Sequence, residues 1–160
     1  MKKILAVLLA LAMVFSFAAC GKKKVEEEQL PEDATVAQIM CAEFKKEIKD
    51  NKDLMKLMQK LAENEALGFA ADIVELPEGY LGGFTTDITG FKQCVAMVPF
   101  IGSIPFAAYV FEANDAKALE KTLADNHDLR WNICTEADEF KTEIVDNYVF
   151  AILTPATFED

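Results

Sequence analysis

Between Lys92 and Glu112 the chain carries no charged residue, and that run constrains the fold more than any other feature. An apolar stretch of about 20 residues is long enough to cross a bilayer as a helix. Here, however, Pro99, Gly102, Ser103 and Pro105 fall in its middle, where proline removes a helical hydrogen bond and clashes with the preceding turn. The run therefore reads as two buried strands, Phe91 to Val98 and Phe106 to Phe111, joined by a Pro/Gly-rich turn. Buried strands need partners and a cover from the rest of the chain.

A second hairpin follows. Phe140, Thr142 and Ile144 alternate as a half-buried strand, Asp146-Asn147 suits a two-residue turn, and Tyr148 to Leu153 is almost wholly apolar, as in a central strand. Between the hairpins, Asn114-Asp115 is placed to cap a helix that carries Ala116, Leu119 and Leu123 inward. Upstream, Thr35 and Gln38 fit a capping box, and Val36, Met40, Phe44 and Ile48 recur every four residues on one helical stripe. Asp53 is placed to cap a second helix with Leu54, Leu57, Met58 and Leu61 buried, leaving Lys45, Lys46, Lys49, Lys56 and Lys60 in water. The methionines on these helices are read as core rather than as an adaptable binding groove.

The span Phe69 to Gly90 gives the weakest signal. The spacing of Phe69, Ile73 and Val74 suggests a third helix, and Pro77 to Leu81 a short helical turn, in a stretch broken by Gly79, Gly82, Gly83 and Gly90. The expected fold is α+β in two layers. An antiparallel sheet of about four strands, built from two hairpins flanking a helix, is covered by an N-terminal helical hairpin.

The N-terminus has a different texture. Met1-Lys2-Lys3 supplies a positive start, and Ile4 to Ala19 is uncharged and apolar but too short to span a membrane. Phe17-Ala18-Ala19-Cys20 resembles a lipobox, with Phe17 where leucine is usual. The expectation is an export signal over residues 1–19, removed on maturation, with Cys20 diacylated as the first mature residue. Two acyl chains are enough to hold a soluble domain on a bilayer. Residues 20–33, with Lys22-Lys23-Lys24 followed by Glu26-Glu27-Glu28, form a charged linker, and residues 34–160 form a single α+β domain.

The formal charge is −11, and loss of Lys2 and Lys3 makes the mature chain more acidic still. Phosphate backbones require clustered Lys and Arg, so a nucleic-acid partner is not expected. With Cys20 lipidated, Cys41, Cys94 and Cys134 remain. Three thiols do not make a disulfide framework; one bridge plus a free thiol is the alternative, and the expectation is three buried thiols.

The most distinctive string is Leu129 to Asp138, which holds the lone arginine, Arg130, and the lone tryptophan, Trp131. The lone histidine, His127, lies just before it. Cys134 as nucleophile with His127 as base would need a turn to bring them together, and no third orienting group is evident. His127, Cys134, Glu136 and Asp138 offer metal-binding atoms without a recognised ligand spacing. Neither a catalytic set, nor a metal, nor a cofactor is expected. The structural reading puts Trp131 and Ile133 in the core, pairs Arg130 with a carboxylate and has Asn132 satisfy loop backbone, with Arg130, Trp131, Asn132 and Cys134 as candidate recognition residues. The turn holding Phe100 and Ile101 is a second candidate. Exposed, it would be a patch for a protein or for lipid, but it is expected to be covered.

The lipobox-like start, the acidic linker, and the blocks VPFIGSIPFAAYVFE, LEKTLADNHDLRWNICTEAD and NYVFAIL resemble a family of small uncharacterised lipoproteins of Gram-positive anaerobic gut bacteria. The resemblance spans roughly residues 34–156. It implies a lipid anchor on the extracytoplasmic face of the cell membrane plus one domain, and it assigns no catalytic residue. The expected function is a non-catalytic interaction or ligand-binding module, with an envelope protein or small ligand as partner. The alternative is a cell-envelope enzyme with a site around Arg130–Asp138.

Overall fold

The computed structural model describes residues 30–158. The expected signal, Cys20 and the linker up to Gln29 lie outside them. The chain folds as α1 (Val36–Glu47), α2 (Leu54–Leu61), a 3-10 turn (Glu65–Leu67), β1 (Ala71–Glu75), β2 (Gly79–Tyr80), β3 (Asp87–Ile88), β4 (Phe91–Pro99), β5 (Ala107–Ala113), α3 (Ala116–Asn126), β6 (Glu139–Val145) and β7 (Tyr148–Thr154). The main sheet has the order β1-β4-β5-β7-β6, and each neighbouring pair is antiparallel. β2 and β3 form a separate two-stranded ladder. The fold is thus α+β, with two hairpins flanking a helix and an N-terminal helical hairpin over the sheet.

Local chemistry starts each element. The Thr35 hydroxyl accepts from the Gln38 amide at 3.4 Å while the Gln38 side chain accepts from the Thr35 amide at 3.0 Å, closing the capping box on α1. Asp53 caps α2 through the Lys56 amide, and Asp115 caps α3 through the amides of Lys117 and Ala118. The turn between β6 and β7 is Asp146-Asn147, with Asp146 at φ 57°, a left-handed conformation that aspartate tolerates.

The sheet differs from expectation in two ways. It has five strands, because Ala71–Glu75 pairs with β4, with Ile73 opposite Met97, instead of extending a helix. Pro77 to Leu81 likewise contributes to the small β2–β3 ladder and not to a helical turn. The sheet is also covered on both faces. Val95, Met97, Ala108, Val110, Phe150 and Ile152 face α1 and α2. Cys94, Ala96, Tyr109, Phe111, Ala151 and Leu153 face Leu119 and Leu123 of α3 together with Leu81, Phe84 and Ile88. Strands without charge have no polar face to give to water, so both faces require a cover.

The second cover is held by long-range backbone pairing. Thr85 donates to the Asn126 carbonyl at 2.9 Å and Asp128 donates to the Gly83 carbonyl at 2.8 Å, laying residues 81–85 beside the end of α3. On the other face the Phe44 and Phe150 rings stack with centroids 5.2 Å apart. Among the described residues no helix is long and apolar enough to cross a membrane.

Candidate functional site

The ends of β4, β7 and the starts of β1, β5 and β6 share one end of the sheet, as Ala71↔Pro99, Ala107↔Leu153 and Glu139↔Thr154 require. Two loops project there. The first joins β4 to β5. Phe100 donates its amide to the Ala70 carbonyl at 3.3 Å, and Ile104 donates to the Ile101 carbonyl at 3.1 Å, which folds residues 101–104 into a tight turn. The second is the Leu129–Ala137 loop, closed at its base where the Ala137 amide donates to the Leu129 carbonyl at 2.9 Å.

Side chains of the second loop satisfy carbonyls of the first. The Asn132 amide donates to the carbonyls of Gly102 at 2.9 Å and Ile104 at 3.3 Å, and the Thr135 hydroxyl donates to Ser103 at 2.6 Å. Asn132 also accepts from the Cys134 amide at 3.2 Å, and Asp128 accepts from the Arg130 amide at 2.8 Å. Arg130 grips Glu136 through Nε at 2.8 Å and Nη2 at 2.5 Å. The two sequence candidates, Arg130–Cys134 and Phe100–Ile101, are therefore one structural unit.

Several expectations are corrected here. Phe100 is 69 % exposed and Ile101 63 %, so the hairpin tip is not covered. Ile133 is not in the core but fully exposed. Its neighbours Asn132 and Thr135 turn inward to the Gly102–Ile104 carbonyls, leaving it no buried position. Trp131 is half-buried, packed against Gly82 at the edge of the core. Cys134 is exposed as well, whereas Cys41 and Cys94 are buried.

The titratable groups diverge accordingly. Burial, then the charge of Glu143, pushes the Cys41 thiol up to about 12. Burial also raises the Cys94 thiol, with a smaller push from Glu75. These thiols stay protonated near neutrality and are poor nucleophiles. Among the described residues no hydrogen bond joins Cys134 to His127. Its ring stacks on Phe140 with centroids 4.4 Å apart, and Nδ1 lies 2.8 Å from the Ala124 carbonyl. A carbonyl can only accept, so Nδ1 carries the proton. Asp138 turns away to accept from the Ala156 amide at 2.9 Å. Among the described residues no cluster of three or more His, Cys, Asp or Glu side chains is arranged to hold a metal.

Depressions mark the surface near both groups of residues. One, about 270 Å³, is lined by Arg130, Asn132, Ile133, Cys134, Thr135 and Glu136. Another, about 390 Å³, lies between α1 and β6, where Cys41, Lys45 and Glu143 meet Leu30 and Pro31. Lys45 and Glu143 are 3.5 Å apart across it. Sequence reasoning missed this second cleft, because it depends on β6 taking the edge position beside α1. It also missed Thr135, whose partner Ser103 is 32 residues away.

No protein-family model, curated protein or solved structure matches the chain.

Proposed function

We propose that this protein is a lipoprotein anchored through Cys20 to the extracytoplasmic face of the cell membrane, whose domain is a non-catalytic interaction module. Support for the anchor lies in residues 1–20, where a basic start, a short apolar run and a small-residue pair precede a cysteine. The observation that carries the reading of the domain is the apolar tip. Phe100, Ile101 and Ile133 are held outward on two loops pinned together by Asn132 and Thr135. Exposed large apolar side chains gathered on a rigid support characterise a contact surface.

The alternative, an envelope enzyme using Arg130–Asp138, has the exposed Cys134 thiol in its favour. Against it, Arg130 is engaged by Glu136, His127 by Phe140 and Ala124, and Asp138 by Ala156. Among the described residues no general base is hydrogen-bonded to the sulfur.

Two measurements test the proposal. Mass spectrometry of the mature chain is expected to find Cys20 diacylated and residues 1–19 absent, and an unmodified or unprocessed N-terminus overturns the anchor. A membrane-impermeant maleimide is expected to label Cys134 in intact cells about tenfold more slowly than in detergent-released protein, because a partner covers the tip. A Cys introduced at exposed Lys49 is the control. Equal ratios at both positions overturn the module.

A further inference from the structure

We infer that the surface covered by the tip is the bilayer itself: Phe100, Ile101 and Ile133 seat among the lipids to which Cys20 is attached. This rests on the lipoprotein reading above and deepens it by naming what the tip contacts.

The first argument is chemical. Residues 99–105 carry no charge, and residues 130–136 carry only Arg130 and Glu136, which are paired with each other. Polar backbone is what normally keeps a loop out of lipid, because each unpartnered carbonyl taken from water costs several kcal/mol. At this tip the carbonyls of Ile101, Gly102, Ser103 and Ile104 all accept hydrogen bonds, from Ile104, Asn132 and Thr135. The turn after β4 thus presents Phe100 and Ile101 beside carbonyls already satisfied, in part by the loop that carries Ile133.

The second argument is where the chain enters the domain. Val36 donates to the Ala156 carbonyl at 2.9 Å and the Thr35 hydroxyl donates to Glu139 at 2.7 Å, so α1 starts at the same end of the sheet as the tip. Leu30 and Pro31 lie beside Thr142, three residues along β6 from Glu139. At about 3.3 Å per residue that is roughly 10 Å from that end. Leu30 lies ten positions after Cys20 in the chain, and ten extended steps span at most about 33–36 Å. An acylated Cys20 can thus lie level with Phe100 and Ile101.

The third argument is proximity. A domain held within that distance of a bilayer meets the lipid surface as an intramolecular event, whereas a protein partner must arrive by diffusion. The opposite end of the domain carries exposed charge. Lys49, Asp50, Lys52, Asn114 and Asp146 are charged or polar there, with Lys52 paired to Asp146. Because the tip's one ion pair is internally compensated, seating is expected on zwitterionic lipid and to be insensitive to salt.

The test uses the mature acylated protein in phosphatidylcholine vesicles. Cys134 is labelled with an environment-sensitive dye, and a second sample carries the dye at Lys49→Cys in a Cys134→Ser background. Nitroxide lipids are expected to quench the dye at Cys134 about threefold more than the dye at position 49. The variant Phe100→Ser, Ile101→Ser, Ile133→Ser is expected to abolish that difference while still floating with the vesicles. These side chains are exposed, so the folded domain is retained, as circular dichroism can verify. Equal quenching at the two positions, or a difference that survives the triple substitution, overturns the inference while leaving the anchor standing, and points to a protein at the tip. Failure to float, with Cys20 free of acyl groups, overturns the anchor and the inference together.

Discussion

The Tyr109 hydroxyl donates to the Gly82 carbonyl at 2.6 Å, joining the centre of β5 to a segment 27 residues earlier in the chain. Tyr109 is buried, and burial raises its phenol above the ordinary range, so the hydroxyl stays a donor. Tyr109→Phe keeps the ring between Phe84 and Phe111 but leaves the Gly82 carbonyl without that partner. The expected loss is about 1–2 kcal/mol in urea unfolding. A loss near zero would mean that water replaces the hydroxyl.

Alkaline pH is expected to destabilise the domain through its buried acids. Cys41, Cys94 and Tyr109 all have folded values above their unfolded ones of 9.0, 9.0 and 10.0, chiefly through desolvation. Above pH 9 the unfolded chain releases protons that the native one retains. This stability is therefore fully present below pH 9 and is lost as pH rises, for Cys41 up to about 12. Each group contributes a slope of at most about 1.4 kcal/mol per pH unit. Unfolding free energies at pH 8, 9, 10 and 11 should show the decline, and it should be shallower in Cys94→Ala. An unchanged slope in that variant would remove Cys94 from the account.

Thiol chemistry gives a separate check on packing. Among the described cysteines, a thiol reagent is expected to modify Cys134 in the native protein, with Cys41 and Cys94 reacting only after unfolding. Rapid native reaction of a second thiol would contradict the burial of α1 or β4.

What the sequence disclosed was the local chemistry. Thr35 and Gln38, Asp53, Asp115 and Asp146 each act within a few residues of their own position, and each was legible. The apolar run from Gln93 to Phe111 likewise announced two strands. β1 was hidden because Ile73 and Val74 become a strand only by pairing with Met97 and Ala96, more than twenty residues on. The second cover was hidden for the same reason, since the segment holding Leu81, Phe84 and Ile88 is laid on the sheet by pairing with Asn126 and Asp128, some forty residues on. At the candidate site, a carboxylate partner for Arg130 was anticipated, and the structure identifies it as Glu136. The exposure of Ile133 was not, because apolar character alone does not tell a core anchor from a displayed side chain.

The support beneath the tip can be weakened without touching its apolar side chains. Asn132→Ala removes the donor to Gly102 and Ile104 and the acceptor for the Cys134 amide. These groups are near solvent, so water replaces much of the lost bonding and global stability is expected to fall by only about 0.5–1.5 kcal/mol. The local effect should be larger. Amide exchange at Ile104 and Cys134 is expected to accelerate while that of β5 and β7 stays slow. Uniform acceleration across the sheet would mean that the loop pair belongs to the core's cooperative unit.

Gly83 shows why the second cover tolerates so little change. Its φ of 89° lies in a region that L residues rarely adopt, and a Cβ built there would approach the Leu153 methyls to 2.9 Å. Gly83→Ala therefore adds backbone strain and an overlap with a fully buried side chain of the central sheet. The expected destabilisation is about 2–4 kcal/mol. Leu153→Ala in the same chain separates the two causes. It removes the overlap but not the strain, so the pair is expected to lose less than the sum of the single variants, with a coupling of about 1 kcal/mol or more in denaturant unfolding. Strict additivity would show that the glycine is required for its backbone conformation alone, and that Leu153 has room to move aside.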